Sequence, residues 1–474
     1  MVVNSRVAGR IPPGEVTFHP HSFGDPAGRL FWWNGGLYRG ISYEKTAFYR
    51  QLFQNDIIQR LIERGILIES KPTGLTLDGY GMVVHHRCIP FASYPHEWCA
   101  AMFRDAALAY LDLSSELVRE GLSLKDTHPW NILFDGCRPV YVDFTSIQSL
   151  AAGSLHPPYD KFRRYYLYPL MLMAQGKERI ARCLIPEYEG VGESEVLMLT
   201  SDNGVCEQLG TKLRWMMTAL RAKTPQSARR RLKTIKSLFG KTDTVVSSGL
   251  DYIRHLRVQV EKIRLTSEFL MYSSPDRRSA AAYSIPVLTA AKQQCLQRIL
   301  SELKPTSVLD LKAGDGWCSK LANSLGSQVV SFEPNPVRTT GIYEYARARQ
   351  LKILPLIMDF TDPTPSRGIS GHSSIAATDR LRCDLVLAMG LLPGIVLRKK
   401  LNFEQIVEGV AIFSNRWVIL EFSLVDQVNV YPSEPQKFPW YTLENLTNTL
   451  RKRFRAVDAR HLDGDCNVFL VCEN

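Results

Sequence analysis

Two stretches of this 474-residue chain concentrate the residue types that do chemistry. In the last third, Val308-Leu309-Asp310-Leu311-Lys312-Ala313-Gly314-Asp315-Gly316 joins an apolar run to small residues. Val329-Val330-Ser331-Phe332-Glu333 follows. The first apolar run predicts a short buried strand. Ala313, Gly314 and Gly316 predict a tight loop where backbone can approach a ligand closely. Ser319 onward predicts a helix, and the second apolar run ends in the acid Glu333. Strand, small-residue loop, helix, strand and acid make one βαβ unit with a nucleotide-type site. The Glu333 carboxylate is placed to accept hydrogen bonds from two ribose hydroxyls. The Gly-x-Gly-x-x-Gly spacing of NAD sites is not present. The other stretch runs from Leu124 to Phe144 and holds Asp126, Asn131 and Asp143. One carboxylate of that set could take a hydroxyl proton, while a carboxamide and a second carboxylate could hold a metal against phosphates.

The later stretch resembles motif I of the S-adenosylmethionine (SAM) methyltransferases of the Rossmann-like class. Asp310, Gly314, Gly316 and Glu333 match the motif, whereas Lys312 stands where its first glycine is common. The resemblance implies SAM as cofactor, held by Asp310, Ala313, Gly314, Gly316 and Glu333. It implies that Asp359, after a third strand at Ile353 to Ile357, meets the adenine amine. It places Ala388, at the end of a fourth strand, toward the reacting methyl. The earlier stretch resembles the catalytic loop of kinase-fold small-molecule phosphotransferases, in which Asp126 takes the base position and Asn131 and Asp143 the magnesium positions. The departures are plain. No Gly-rich phosphate loop of kinase spacing precedes it, no lysine sits on a third strand, and Phe144-Thr145 follows Asp143. Arg39 is the nearest basic residue. Taken jointly, residues 120 to 474 resemble a bacterial family of SAM-dependent methyltransferases.

The elements that must position these residues read as follows. Leu30-Phe31-Trp32-Trp33, Asn34-Gly35-Gly36 and Leu37-Tyr38-Arg39 predict a β-hairpin. Tyr43 to Arg64 predicts one helix stopped by Gly65. Tyr80 to Pro90 predicts strand, and Glu97 to Glu120 a long amphipathic helix. Pro157 to Leu170 interleaves aromatics with Lys161, Arg163 and Arg164, which suits a stacking platform or, more simply, a packed helix. Lys212 to Lys241 predicts a basic helix that could meet an anionic partner or serve as a solvated face. No nucleic-acid-binding module accompanies it. Thr289 to Leu303 predicts a helix leading into the methyltransferase-like segment. Strands at Asp384 to Gly390, Trp417 to Phe422 and Val468 to Cys472 complete a doubly wound α/β sheet, the last one antiparallel.

Composition bounds the rest. The length calls for more than one core. The formal net charge of +11 favours anionic ligands or surfaces. Ten cysteines without Cys-x-x-Cys or zinc spacing read as reduced thiols, so no metal site and a cytoplasmic location are expected. Met1 to Pro13 lacks the apolar core of a secretory signal, and Tyr165 to Ala174, the most apolar stretch, is too short to span a bilayer. The expected division is an α+β kinase-like segment over 1–150, a helical basic connector over 151–284, and the SAM domain over 285–474. The expected function is SAM-dependent methyl transfer to a small-molecule or saccharide acceptor. Glu421, at the carboxyl end of the fifth strand, is the candidate base or substrate contact, and equally a structural carboxylate. Two alternatives stay open: a phosphotransferase acting through Asp126, Asn131 and Asp143, and a non-catalytic SAM-binding protein.

Overall fold

The structure is a computed structural model. It describes residues 9–200, 249–265, 290–423, 438–462 and 467–474, apart from the single positions 21, 23, 152, 154 and 372. The basic stretch Lys212 to Lys241 lies outside the described residues. The chain is mixed α/β and divides into two compact units that are not contiguous in sequence. One comprises Met1–Met102, Trp130–Thr145 and Leu270–Asn474; the other comprises Phe103–Pro129 and Ser146–Phe269. No helix among the described residues is long and apolar enough to cross a membrane.

The first unit contains two large sheets and, among the described residues, two two-stranded ones. The N-terminal one has five antiparallel strands: Thr17–Phe18, Gly28–Trp33, Gly36–Ile41, Ser70–Pro72 and Met82–His86. Numbered by chain order, they lie 1-2-3-5-4. The predicted hairpin forms, with Trp33 opposite Gly36. Asn34 and Gly35 take φ of 45° and 71°, the left-handed pair that a two-residue hairpin turn requires. The single helix expected over Tyr43 to Arg64 is two helices, Tyr43–Gln54 and Asp56–Glu63. Asn55 between them is extended, and its side chain accepts from the Ile57 amide. Asn before an acidic first turn is an N-cap signal, and here it outweighs the continuous apolar spacing. Ile132–Asp135 and Arg138–Tyr141 form a separate hairpin.

The C-terminal sheet has seven strands: Ser307–Asp310, Gln328–Phe332, Ile353–Leu356, Cys383–Ala388, Ser414–Phe422, Ala456–His461 and Val468–Glu473. Their order is 3-2-1-4-5-7-6. The first five are parallel, and the seventh runs antiparallel to the fifth and the sixth. Val308, Leu309, Val330, Leu385, Val386 and Leu387 are all fully buried, because helices cover both faces of such a sheet. Pro355 is tolerated because its strand is the sheet edge, where no partner needs its missing N–H. The sixth strand, Ala456–His461, is largely exposed and polar, so no hydrophobic run announced it. The sheet reverses its order between the first and fourth strands, and ligands of such sheets sit outside the carboxyl ends at that point.

Glu97, which follows the N-terminal sheet, forms a buried pair with Arg380, which precedes the fourth strand of the C-terminal sheet, and the guanidinium also stands 4.3 Å over the Tyr94 ring. The Glu97 carbonyl accepts from the Ile357 amide at 2.8 Å, directly after the third strand.

The second unit holds most of the long helix Ala100–Arg119 and the paired strands Leu122–Leu124 and Ile147–Ser149. It also holds the apolar helix Tyr168–Ala174 and the helix Gly249–Lys262. Arg163 stacks on Tyr159 and Tyr168, and Phe162 stacks on Tyr166, while Phe162 and Tyr166 also meet Tyr110 of the long helix, so the aromatic stretch is a packed helix.

Candidate functional site

The residues singled out in the last third converge at the carboxyl ends of the parallel strands. Asp310 closes the first strand and is fully buried. Its Oδ2 accepts from Ser319 Oγ at 2.7 Å, and Ser319 Oγ lies 2.8 Å from Ser331 Oγ on the second strand. Asp310 therefore ties strand, helix start and neighbouring strand together. Burial pushes its carboxyl up to about 6, against the hydrogen bond from Ser319. The loop then turns with Gly314 at φ 60° and Gly316 at φ 80°, a region costly for any residue with a Cβ. A Cβ on Gly316 would come within 3.0 Å of Ile342 Cγ1. One on Gly314 would meet nothing within 4 Å, so the space above that peptide is open. The Ala313 amide is committed to the Phe332 carbonyl.

Glu333 is nearly fully buried at the end of the second strand. Its Oε2 accepts from the Gly314 amide at 2.9 Å and its Oε1 from the Asn335 amide at 2.8 Å. Each oxygen keeps a further lone pair for a ligand. Burial pushes the Glu333 carboxyl above its ordinary value, against those amides and Arg338. Asp359 follows the third strand and is half-buried. Oδ1 accepts from the Thr361 amide and hydroxyl, and Oδ2 pairs with Lys399 at 2.6 Å. Burial works to raise its carboxyl, but Lys399 and Thr361 outweigh it and hold the group below its ordinary value. Ala388 ends the fourth strand, fully buried, two residues before Gly390 at φ 58°.

Gly390 is gripped from both sides. Its amide donates to Glu421 Oε2 at 2.7 Å, and its carbonyl accepts from Lys312 Nζ at 2.7 Å. Glu421, at the end of the fifth strand, is 1% exposed, and its Oε1 stands 2.7 Å from Lys292 Nζ. Both its oxygens are thus engaged, one by a buried ammonium and one by backbone. That arrangement holds the loop at Gly390 against the fifth strand. Sequence reading missed Lys292, although a signal existed. It lies in phase with Cys295, Leu296 and Ile299 on the buried face of its helix, so it had to be buried with a partner.

Beyond the fifth strand lies an aromatic group. Tyr441 stacks on Phe422 at 5.1 Å and donates its hydroxyl to the Ser423 carbonyl. Trp440 meets Phe403 and Phe438 edge-on, and Lys400 stands 5.3 Å from the Phe438 ring. Phe438 and Trp440 stay half-exposed at this ligand-side edge.

The earlier stretch is arranged otherwise. Asn131 Nδ2 lies 3.5 Å from Asp143 Oδ2, so the structure brings these two together. Asp126 lies in the second unit, with its amide donating to Ser146 Oγ and its carbonyl accepting from the Tyr110 hydroxyl. Asp143 is covered by Arg39, a buried residue on the third strand of the N-terminal sheet. The guanidinium stands 3.3 Å from Asp143 and 3.4 Å from Asp25, and it also donates to Thr145 Oγ1. Thr145 Oγ1 in turn donates to Asp143 Oδ1 at 3.0 Å, and Tyr49 donates its hydroxyl to the Thr145 carbonyl.

No protein-family model matches the chain. Along its whole length it is similar to the nodulation protein NoeA of Rhizobium meliloti (strain 1021), at 22% identity over 488 residues and 99% of that protein. Among solved structures it shares 14% identity with monomeric WbdD over 41% of this chain and 45% of that one, at a TM-score of 0.30. It shares 10% identity with the O-methyltransferase TomG of Streptomyces achromogenes, which was crystallised with SAM, over 43% of this chain and 89% of that one. The TM-score there is also 0.30.

Proposed function

We propose that the seven-stranded region binds SAM and transfers its methyl group to a small-molecule acceptor. The observation that carries this is the open glycine loop at the order reversal of the sheet, with a buried carboxylate bonded to that loop from the next strand. The residues present fit the cofactor. Glu333 retains lone pairs for ribose hydroxyls, Asp359 lies on the adenine side, and Gly314 leaves room for the ligand against backbone. When bound, SAM supplies a methyl group already activated on a sulfonium. The protein's remaining work is therefore alignment of the acceptor.

Asp310 holds the loop to Ser319. Glu421 and Lys292 act as positioning residues for Gly390, beside the end of the fourth strand where Ala388 faces the reaction. A base is needed only for an acceptor that must lose a proton, such as a hydroxyl or amine. The half-exposed Phe438 and Trp440 suit a ring-bearing acceptor, since aromatic faces present large apolar area at fixed geometry. Together with the full-length similarity to a nodulation protein, they support a saccharide or related small molecule in a host-specificity pathway.

We read the cluster of Asn131 and Asp143 as a charge-compensated brace. Arg39 sits on the carboxylate that a metal would need. The test of the main reading is incubation of the full chain with isotope-labelled SAM and extract fractions, followed by mass spectrometry. Transfer of label into a saccharide or small-molecule fraction is the expected result. SAM bound with no labelled product in any fraction would favour the non-catalytic alternative.

A further inference from the structure

The sheet order fixes how a SAM molecule would lie, and one side chain has no counterpart in the glycine motif. The inference below rests on the SAM reading. Glu333 ends the second strand and Asp359 follows the third, so the nucleoside would lie over the 3-2 side of the sheet. The amino-acid tail must then extend across the ends of the first and fourth strands. Lys312 and Gly390 occupy those ends. We propose that Lys312 is the residue that binds the carboxylate of the cofactor's amino-acid end.

The geometry supports this in three ways. Lys312 is half-buried in the loop itself, and its Nζ reaches across to the Gly390 carbonyl at 2.7 Å. An ammonium has three donors, and among the described residues that carbonyl takes one of them. The charged groups that act on it are Glu333 and Glu421, which favour its charge, and Arg398 and Arg338, which oppose it. Lys312 donates to neither of them: Glu333 accepts from two amides, and Glu421 meets Lys292 and the Gly390 amide. Burial pushes the ammonium down to about 8, so it remains mostly charged at neutral pH. A ligand carboxylate brought beside it would accept from the donors that Gly390 leaves over and would offset Arg398 and Arg338.

A purely structural brace for Gly390 would use the same hydrogen bond, and the test separates the two. Affinities of the full chain for S-adenosylhomocysteine and for 5′-methylthioadenosine are measured by titration calorimetry, in the wild type and in Lys312→Met and Lys312→Arg. The two nucleosides share adenine and ribose, but the second lacks the amino-acid end. Lys312→Met is expected to lose at least tenfold for S-adenosylhomocysteine and less than twofold for methylthioadenosine, with Lys312→Arg recovering most of the difference. Unchanged methylthioadenosine binding also reports that the variant site is folded. Equal losses for both ligands, or no loss for either, overturn the proposal. A wild type that binds neither nucleoside overturns the cofactor reading beneath it.

Discussion

Two carboxylate-bearing loops of the chain, at Glu333 and at Asp143, follow strands and differ in how their charge is balanced. In the C-terminal one, Glu333 is held by the amides of Gly314 and Asn335, and the space above Gly314 is open. Backbone amides fix a carboxylate without cancelling its charge, so it stays available to a ligand. In the N-terminal one, Asp143 is met by the Arg39 guanidinium, the Thr145 hydroxyl and Asn131. A fixed cation on the third strand stands 3.3 Å from that carboxylate and balances its charge. Two similar-looking motifs thus part company on one question: whether the charge is left for a ligand or neutralised from within.

The largest expected effect tests the open loop. Gly314→Val forces a β-branched residue to φ 60° and fills the space above the peptide. SAM affinity should fall beyond detection in a calorimetric titration, on the order of 100-fold or more, and Asp310→Ala should weaken it severely as well. Unchanged affinity in both variants would remove the cofactor site from this loop.

Next is the pH dependence that burial imposes on the same loop. The folded Asp310 carboxyl stands at about 6 against an ordinary 3.8. A raised carboxyl gives stability that is complete below the unfolded value and lost as pH rises through the folded one. About two units at 1.36 kcal/mol each make about 3 kcal/mol. About 2 kcal/mol of that falls between pH 4.5 and 7.5, so urea unfolding at those two values should show the wild type losing about that much relative to Asp310→Asn, and parallel behaviour would contradict the burial argument.

In the compensated loop, removing the cation takes away the guanidinium that Asp143 and Asp25 share. Arg39→Met is expected to destabilise the chain by about 2–3 kcal/mol, somewhat below the usual cost of breaking a fully buried pair, since Asp143 and Asp25 are partly exposed. Arg39→Met combined with Asp143→Asn should cost less than the sum of the single changes in denaturant unfolding. Strict additivity would mean that the pair is not coupled.

Glu333→Ala should weaken SAM by about 1–3 kcal/mol through lost charge-assisted hydrogen bonds to ribose. Calorimetric affinities equal to the wild type's would place the ribose elsewhere. The smallest effect is a difference of zero. Magnesium-ATP should neither raise the melting temperature of the full chain nor be hydrolysed, because phosphoryl transfer needs a phosphate clamp and metal that Arg39 pre-empts. Turnover that depends on Asp126 would reverse the comparison and make the N-terminal loop the active one.

Much of this was legible in the residues. Asp310, the small-residue loop and Glu333 announced a βαβ unit because buried parallel strands must be apolar throughout and glycine has few rivals at positive φ. Asn34-Gly35 announced its hairpin for the same backbone reason. These are local rules, and a sequence carries them without help. What the tertiary structure decided is which charges meet. Arg39 and Asp143 are 104 residues apart and Lys292 and Glu421 are 129, and no spacing rule links them. Glu421, ending a strand at the ligand edge, read equally as a base or substrate contact and as a structural carboxylate. Only the packing of a helix from before the sheet put Lys292 against it. The physical reason is that burying a charge demands a partner, while the sequence states the demand without saying where in the fold the partner will come from.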